Sequence, residues 1–365
     1  MIFTKVLMTI GEIFEKYGYP LVFRKVATSG TLLNYKIFGN CKQEGTPAPT
    51  NPVEIQTVGQ KTANLWSGLN CENGYLANDG SIIKTSSNIT SDYIEVEENT
   101  SYTAYMELSA EVQGNSIWFC FYDKDKNLLD NRDGMYMPAT YAFDVLTPAN
   151  TKYIRVSMGE DTKVLKRMVC KGIYTKDTIV YEPYGYKIPV RVNDAITTIY
   201  LDKPLYKAGN ATDYLDFANN QVVRNVGIKT LNGSEADWDL DFYQDYFYTN
   251  DETFKDMSLD YATNSVICSN FECKSYETKA DSTQDNYCFC AVNQYYATIG
   301  FMYKIIKTLD DWKSFLNTNP ITVCYPLAAP VSEVVELPEL AINEGLTVYT
   351  VDGLAPSNMY GKRSK

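Results

Sequence analysis

The sequence predicts an all-β protein, with two β-sandwich or jelly-roll-like domains, a short N-terminal amphipathic helix and one short helix in the C-terminal half. Three observations predict it. Short apolar–polar alternations recur along the chain after residue 90. Turn chemistry separates them, at Asn78-Asp79-Gly80, Glu98-Asn99, Asp123 to Asn127 and Pro148 to Asn150. The 30 Tyr, twice the 15 Phe, favour strands whose rings are half buried and half wet. With 365 residues the chain is long for one sandwich and comfortable for two cores with a connecting segment.

The elements follow in chain order. In residues 1–34, Val6, Leu7, Ile10, Ile13, Phe14 and Tyr17 fall at helical spacing between Lys5, Glu12, Glu15 and Lys16, which predicts a helix over 6–17. About three turns are marginal alone, so the stripe packs on its own chain or on copies of itself, and the spacing leaves both open. Residues 35–62 read as an extended linker: Pro47, Pro49 and Pro52 in GTPAPTNPVEIQTVG (45–59) bar a helix and make a semi-rigid spacer.

Residues 63–186 form the first predicted domain, a jelly roll with strands at 92–97, 101–108, 116–122, 141–146, 152–158 and 164–171. Residues 187–365 form the second, with strands at 188–192, 196–201, 221–229, 264–273, 286–292, 295–305 and 321–327. Its exception is the stretch Thr308 to Leu316, where a Thr cap, early acids and the apolar set Leu309, Trp312, Phe315 and Leu316 predict a short helix that Pro320 ends.

Composition narrows the chemistry. The chain has no His, which removes the commonest general base, the commonest metal ligand and every Ser-His or Cys-His nucleophile. Net charge is −12 with Lys and Arg scattered singly, so a nucleic-acid partner, which needs clustered cations, is not expected. Nine cysteines at irregular spacing suit mostly free thiols in a reducing cytosol. The start lacks the basic, apolar and small-residue pattern of a signal peptide, and no apolar run reaches membrane-spanning length, so membrane insertion is not expected.

Three acidic or thiol clusters fall short of a site. Asp123-x-Asp125-x-Asn127 opens like a calcium loop, but Leu128 stands where a Gly is needed and Gly134 where a bidentate Glu is needed, so a polar turn is the simpler reading. Cys268, Cys273, Cys288 and Cys290 lack the spacing of a zinc knuckle, and Cys288 and Cys290 alternate as strand residues do. Asp237, Asp239, Asp241 and Asp245 around Trp238 and Phe242 admit a glycosidase pair, but a solvated acidic loop explains them more simply. There is no Gly-rich phosphate cradle and no Gly-x-Ser-x-Gly elbow. No catalytic, metal or cofactor site is therefore expected, and the protein reads as a non-enzyme.

The linker motif is followed by KTANLW (61–66), SDYIEVEENTSYT (91–103), FCFYDKDKNLL (119–129), LTPANTKYIRVSM (146–158) and YEPYGYKIPV (181–190). Farther on come YLDFANNQVVRNVG (214–227), TLDDWKSFLNTNPITVCYPLA (308–328) and VELPELAINEGLTVYTVDGLAPSNM (335–359). In this order and spacing they resemble the modules of tail-fibre, receptor-binding and minor tail proteins, baseplate appendages of phages that infect Gram-positive gut bacteria. The resemblance covers most of the chain from about residue 35. It implies a carbohydrate-binding-module-like jelly roll followed by a second β-rich domain, assembled as a homotrimer in the virion, with residues 1–34 as the attachment to other virion proteins. It also implies contact with a host cell-surface glycan. A head, neck or capsid fibre or decoration protein is the alternative, and a glycan depolymerase a lesser one. Sugar recognition needs an aromatic ring against a pyranose face with polar groups beside it, for which Trp66, Trp118, Tyr122, Tyr136 and Trp238 are the candidates. Each also fits a core or strand position, Trp118 above all, inside an apolar strand.

Overall fold

The computed structural model describes residues 23–24, 36–110, 116–132, 139–159, 163–192, 195–241, 246–249, 254–258, 266–275, 286–292, 297–337 and 347–350. The helix expected over 6–17 lies outside them. The protein is mostly β, as the alternation predicts, and one helix stands among the described residues. The chain divides into two compact units, Lys61–Tyr186 and a unit made of Met1–Gln60 with Lys187–Lys365.

Lys61–Tyr186 is a two-sheet sandwich. One sheet orders Tyr141–Leu146, Ser101–Leu108 and Val164–Lys171. The other orders Leu128–Arg132, Trp118–Tyr122, Tyr153–Gly159, Asn88–Thr90 and Glu72–Asn73, with Ile94–Glu95 also on Tyr153–Gly159. The turns expected from sequence carry left-handed residues: Lys126 at φ 63° in the hairpin between Trp118–Tyr122 and Leu128–Arg132, and Asn99 at φ 51° and Asn150 at φ 65° where the chain passes from one sheet to the other.

Alternation decides the faces. Phe119 opposes Val156 and Phe121 opposes Ile154, and all four are fully buried between the sheets with Tyr102, Ala104, Met106 and Val169. Burying such side chains contributes about 1.5–3 kcal/mol each, which fixes the register because a slip of one residue would turn the Phe pair outward. The same slip would bring inward the outer row of Trp118, Cys120 and Tyr122, which opposes Ser157, Arg155 and Tyr153.

Among the described residues, the two largest apolar clusters of the discontinuous unit share one sheet. That sheet orders Lys36–Phe38, Tyr214–Asp216, Gln221–Leu231, Ile321–Val334 and Ile267–Cys268. Val222 and Leu215 face one core with Ile37, Ile188, Val190 and Ile199. Leu231, Ile321, Val323 and Tyr325 face the other, against a sheet ordering Trp238–Asp241, Tyr246–Thr249, Ala297–Tyr303, Asn286–Val292 and Glu272–Ser275. The expected helix spans Leu309–Thr318: Thr308 accepts the Asp311 N–H at 3.2 Å as its N-cap, and Trp312 and Leu316 are buried in that second core.

The Pro-rich stretch is built differently from a spacer. Cys41–Lys42 pairs with Gln56–Thr57, Val58 bridges Leu205, and the Val53 N–H donates to Ser269 O at 2.8 Å. Proline removes donors but leaves carbonyls, and Pro49 O accepts from Asn270 Nδ2 at 3.0 Å. Residues 36–60 thus belong to the same unit as 187–337.

Candidate functional site

The outer face of the sheet through Trp118–Tyr122 concentrates the aromatic and polar groups suited to a ligand. Its rungs follow from register. Trp118, Ser157, Thr90 and Glu72 form one, Asn131, Cys120 and Arg155 the next, and Leu128, Tyr122, Tyr153 and Glu95 a third.

A hairpin of Tyr75–Leu76 and Ile82–Ile83 covers the middle of this face. The Leu76 N–H donates to Ser157 Oγ at 2.9 Å, Thr90 Oγ1 to Gly74 O at 2.8 Å, Tyr122 Oη to Gly80 O at 3.3 Å and Asn131 Nδ2 to Asn78 O at 2.8 Å. The turn needs Gly80, whose φ of 78° a side chain resists and whose Cβ position lies 3.1 Å from Tyr122 Oη. Under the hairpin, Arg155 is 7% exposed; its Nε donates to Ser91 O at 2.9 Å and an Nη to Glu72 Oε1 at 2.9 Å. Arg155, with Lys84 behind it, holds the Glu72 carboxyl below the usual carboxylate range.

Aromatic rings emerge on both sides of the hairpin. On one, the half-buried Tyr75 and Trp118 rings lie 5.8 Å apart, and Trp118 Nε1 donates to Ser116 Oγ. On the other, Tyr93 packs edge-on to Tyr122 at 5.0 Å and to Tyr153 at 6.0 Å. Two of the protein's own cations attend that second group: Lys126 Nζ is 4.5 Å and the Arg155 guanidinium 5.1 Å from the Tyr93 centroid. The Tyr75–Trp118 pair carries no such cation among the cation–ring contacts of the described residues and is the better stacking platform.

The residues predicted from sequence separate accordingly. Trp118 reaches the outer face and is half-buried there. Trp66 is buried in the sandwich core, and Tyr122 is 4% exposed beneath the hairpin turn. Trp238 is buried in the other unit and donates from Nε1 to Glu235 Oε2 at 2.7 Å. None of these three presents a ring face to a sugar. Tyr136 lies outside the described residues. Tyr75, Tyr93 and Tyr153 were not singled out from sequence. The period-two step through Tyr153 and Arg155 in LTPANTKYIRVSM was the available signal; Asn78-Asp79-Gly80 marked the turn of the covering hairpin but not the face it covers.

Described members of the remaining clusters are tied into the fold. Asp123 accepts from the Asp125 N–H at 2.9 Å, the Asn127 N–H at 2.8 Å and Asn127 Nδ2 at 3.0 Å, which closes the turn. Cys273 and Cys288, opposite each other on parallel strands, form a disulfide that occupies two of the four clustered sulfurs, while the other seven cysteines take no part in one. Asp239 accepts from Tyr248 Oη at 2.8 Å; Asp245 and Phe242 lie outside the described residues. A cleft of about 310 Å³ lies in the discontinuous unit between Gln43–Pro47 and Val266–Cys273, with Glu272 among its described lining residues. No family model, curated protein or solved structure matches the chain.

Proposed function

We propose that this chain is a non-enzymatic structural protein of a bacteriophage virion, a tail fibre or baseplate appendage that assembles as a homotrimer and contacts a host cell-surface glycan. What carries the proposal is the ordered run of sequence strings from GTPAPTNPVEIQTVG to VELPELAINEGLTVYTVDGLAPSNM, which resembles such proteins along most of the chain. The sandwich Lys61–Tyr186 supports it with a surface of the right chemistry: the Tyr75–Trp118 pair supplies an apolar ring for a pyranose face. A few rings and polar groups on an open sheet give micromolar to millimolar affinity per site, so copy number on a trimer supplies the avidity.

Purified full-length chain added in excess to host cells tests this. It should reduce phage adsorption, and Trp118→Ala should lower glycan binding about tenfold, the loss expected of one stacking ring. Full binding by Trp118→Ala removes the site. No competition by the wild-type chain, with labelling on the head or neck of the particle, would move the protein to a fibre or decoration role without receptor contact.

A further inference from the structure

The discontinuous unit holds a second pair of adjacent thiols. Cys324 is 0% exposed near the start of Ile321–Val334, clustered with Tyr206, Ala208 and Val226, and the half-buried Cys41 packs against that cluster. The two thiols hydrogen-bond to each other, and Cys41 Sγ also accepts the Lys207 backbone N–H at 3.2 Å. A sulfur receiving both an S–H and an N–H is stabilised as its anion. The Cys324 hydrogen bond leads in holding the Cys41 thiol below its ordinary range, against the opposing effect of burial. Cys324 is displaced upward, first by its hydrogen bond to Cys41 and then by burial.

The two sulfurs therefore have different parts to play. Cys41, on the exposed side, is the nucleophile, and Cys324, beneath it, keeps its proton until Cys41 has reacted. Once Cys41 is capped, its negative charge and its hold on the Cys324 proton are gone, and the largest effect on Cys324 is relieved, leaving burial with the weaker influence of Cys268 and Asp213 to oppose ionisation.

We propose that Cys41 and Cys324 form a redox modification site at which a small-molecule disulfide closes them into a second disulfide, tying the Pro-rich segment to the longest strand. The Cys41 thiolate attacks one sulfur of the oxidant RSSR, forming Cys41–S–S–R and expelling RS⁻. Cys324 then gives up its proton and attacks the Cys41 sulfur, expelling a second RS⁻. The protein loses two hydrogens and RSSR becomes two RSH.

Oxidised glutathione on the reduced full-length protein, followed by alkylation and peptide mapping, is the test. Cys290 is the internal control, because it is half-buried like Cys41 but burial alone pushes its thiol up to about 12. The expected result is a linked Cys41–Cys324 peptide, with Cys41 consumed more than about tenfold faster than Cys290. Cys324→Ser should stop at a glutathione adduct on Cys41. The wild-type comparison stands even where that variant fails to fold. Cys41 reacting no faster than Cys290, or remaining fully alkylatable after oxidation, overturns the proposal.

Discussion

The two units solve the burial of an arginine in opposite ways. In Lys61–Tyr186, Arg155 reaches the rim of the sheet, where its partner Glu72 has a side chain 46% exposed. In the discontinuous unit, Arg224 meets an Asp213 side chain that is 0% exposed, at 3.3 Å. Asp213 also accepts the N–H groups of Tyr206, Asn225 and Val226, while Arg224 donates to the carbonyls of Lys203 and Pro204. A sandwich made from one stretch of chain leaves its ions at the edge. The discontinuous unit gathers the backbone of 203–206 and 225–226 on one buried pair, which fixes how those segments meet.

That contrast breaks most sharply at Asp213. Asp213→Ala removes the buried countercharge of Arg224, leaving it Glu333 at 3.8 Å, and leaves the Tyr206, Asn225 and Val226 N–H groups without their acceptor, so it should cost about 3–5 kcal/mol. Glu72→Ala should cost less than about 1 kcal/mol, because the pair is near water and Arg155 keeps Ser91 O. Tryptophan emission can follow the units separately, since Trp66 and Trp118 lie in one and Trp238 and Trp312 in the other. Equal losses for the two variants in denaturant melts would erase the distinction.

The aromatic groups sharpen it. Trp312, fully buried, stacks on Phe247 at 4.8 Å and lies 5.6 Å from Trp238, so Trp312→Ala should cost about 3–5 kcal/mol. Trp312→Phe should cost clearly less, because Trp312 Nε1 is buried without a hydrogen-bond partner and its removal relieves about 1–3 kcal/mol of desolvation. Trp118→Ala, on a half-buried ring, should cost the other unit less than Trp312→Ala costs its own. The same melts rank all three.

What was legible in the sequence follows the same divide. In Lys61–Tyr186 the long strands are written in local alternation, so Ser101–Leu108, Tyr141–Leu146 and Val164–Lys171 stand where the pattern puts them, while Glu72–Asn73, Asn88–Thr90 and Leu128–Arg132 alternate too little to be read that way. The helix at 309–318 was legible for the same reason, its cap and apolar stripe being local. The Pro-rich segment was not, because its partners Leu205 and Ser269 are distant in sequence and proline content reports only what a segment cannot be. The glycan candidates show the limit for side chains. Trp66, Trp118 and Trp238 are alike in composition, and only register and the covering hairpin separate the half-buried ring from the buried ones. The Cys273–Cys288 bond likewise depends on a parallel pairing that cysteine spacing does not reveal.

The helix cap gives a smaller effect. Thr308→Ala frees the Asp311 N–H and should cost about 1 kcal/mol, with Thr308→Ser close to wild type. Loss of the cap should appear in the Trp238 and Trp312 emission and leave the Trp66 and Trp118 transition where it was. Coincident shifts in both would mean that the units do not unfold independently.

The smallest effect is a difference of sign in acid. The Glu72 carboxyl is held low, first by Arg155 and then by Lys84. Its contribution to stability is present above its unfolded pKa and is lost as pH falls through the lower folded value. Asp213 is displaced the other way, because burial outweighs the N–H groups and Arg224 that favour its anion. Its contribution is fully present below the unfolded pKa and is lost as pH rises through the folded value. Acidification through the carboxylate range should therefore erode Lys61–Tyr186 through Glu72 while Asp213 offsets part of the loss in the other unit. Glu72→Gln should flatten the acid fall of the Trp66 and Trp118 transition without changing that of Trp238 and Trp312. An unchanged acid slope in Glu72→Gln would show that the exposed end of the pair is screened too well to link its protonation to folding, and would leave the buried pair as the one electrostatic difference between the units that stability registers.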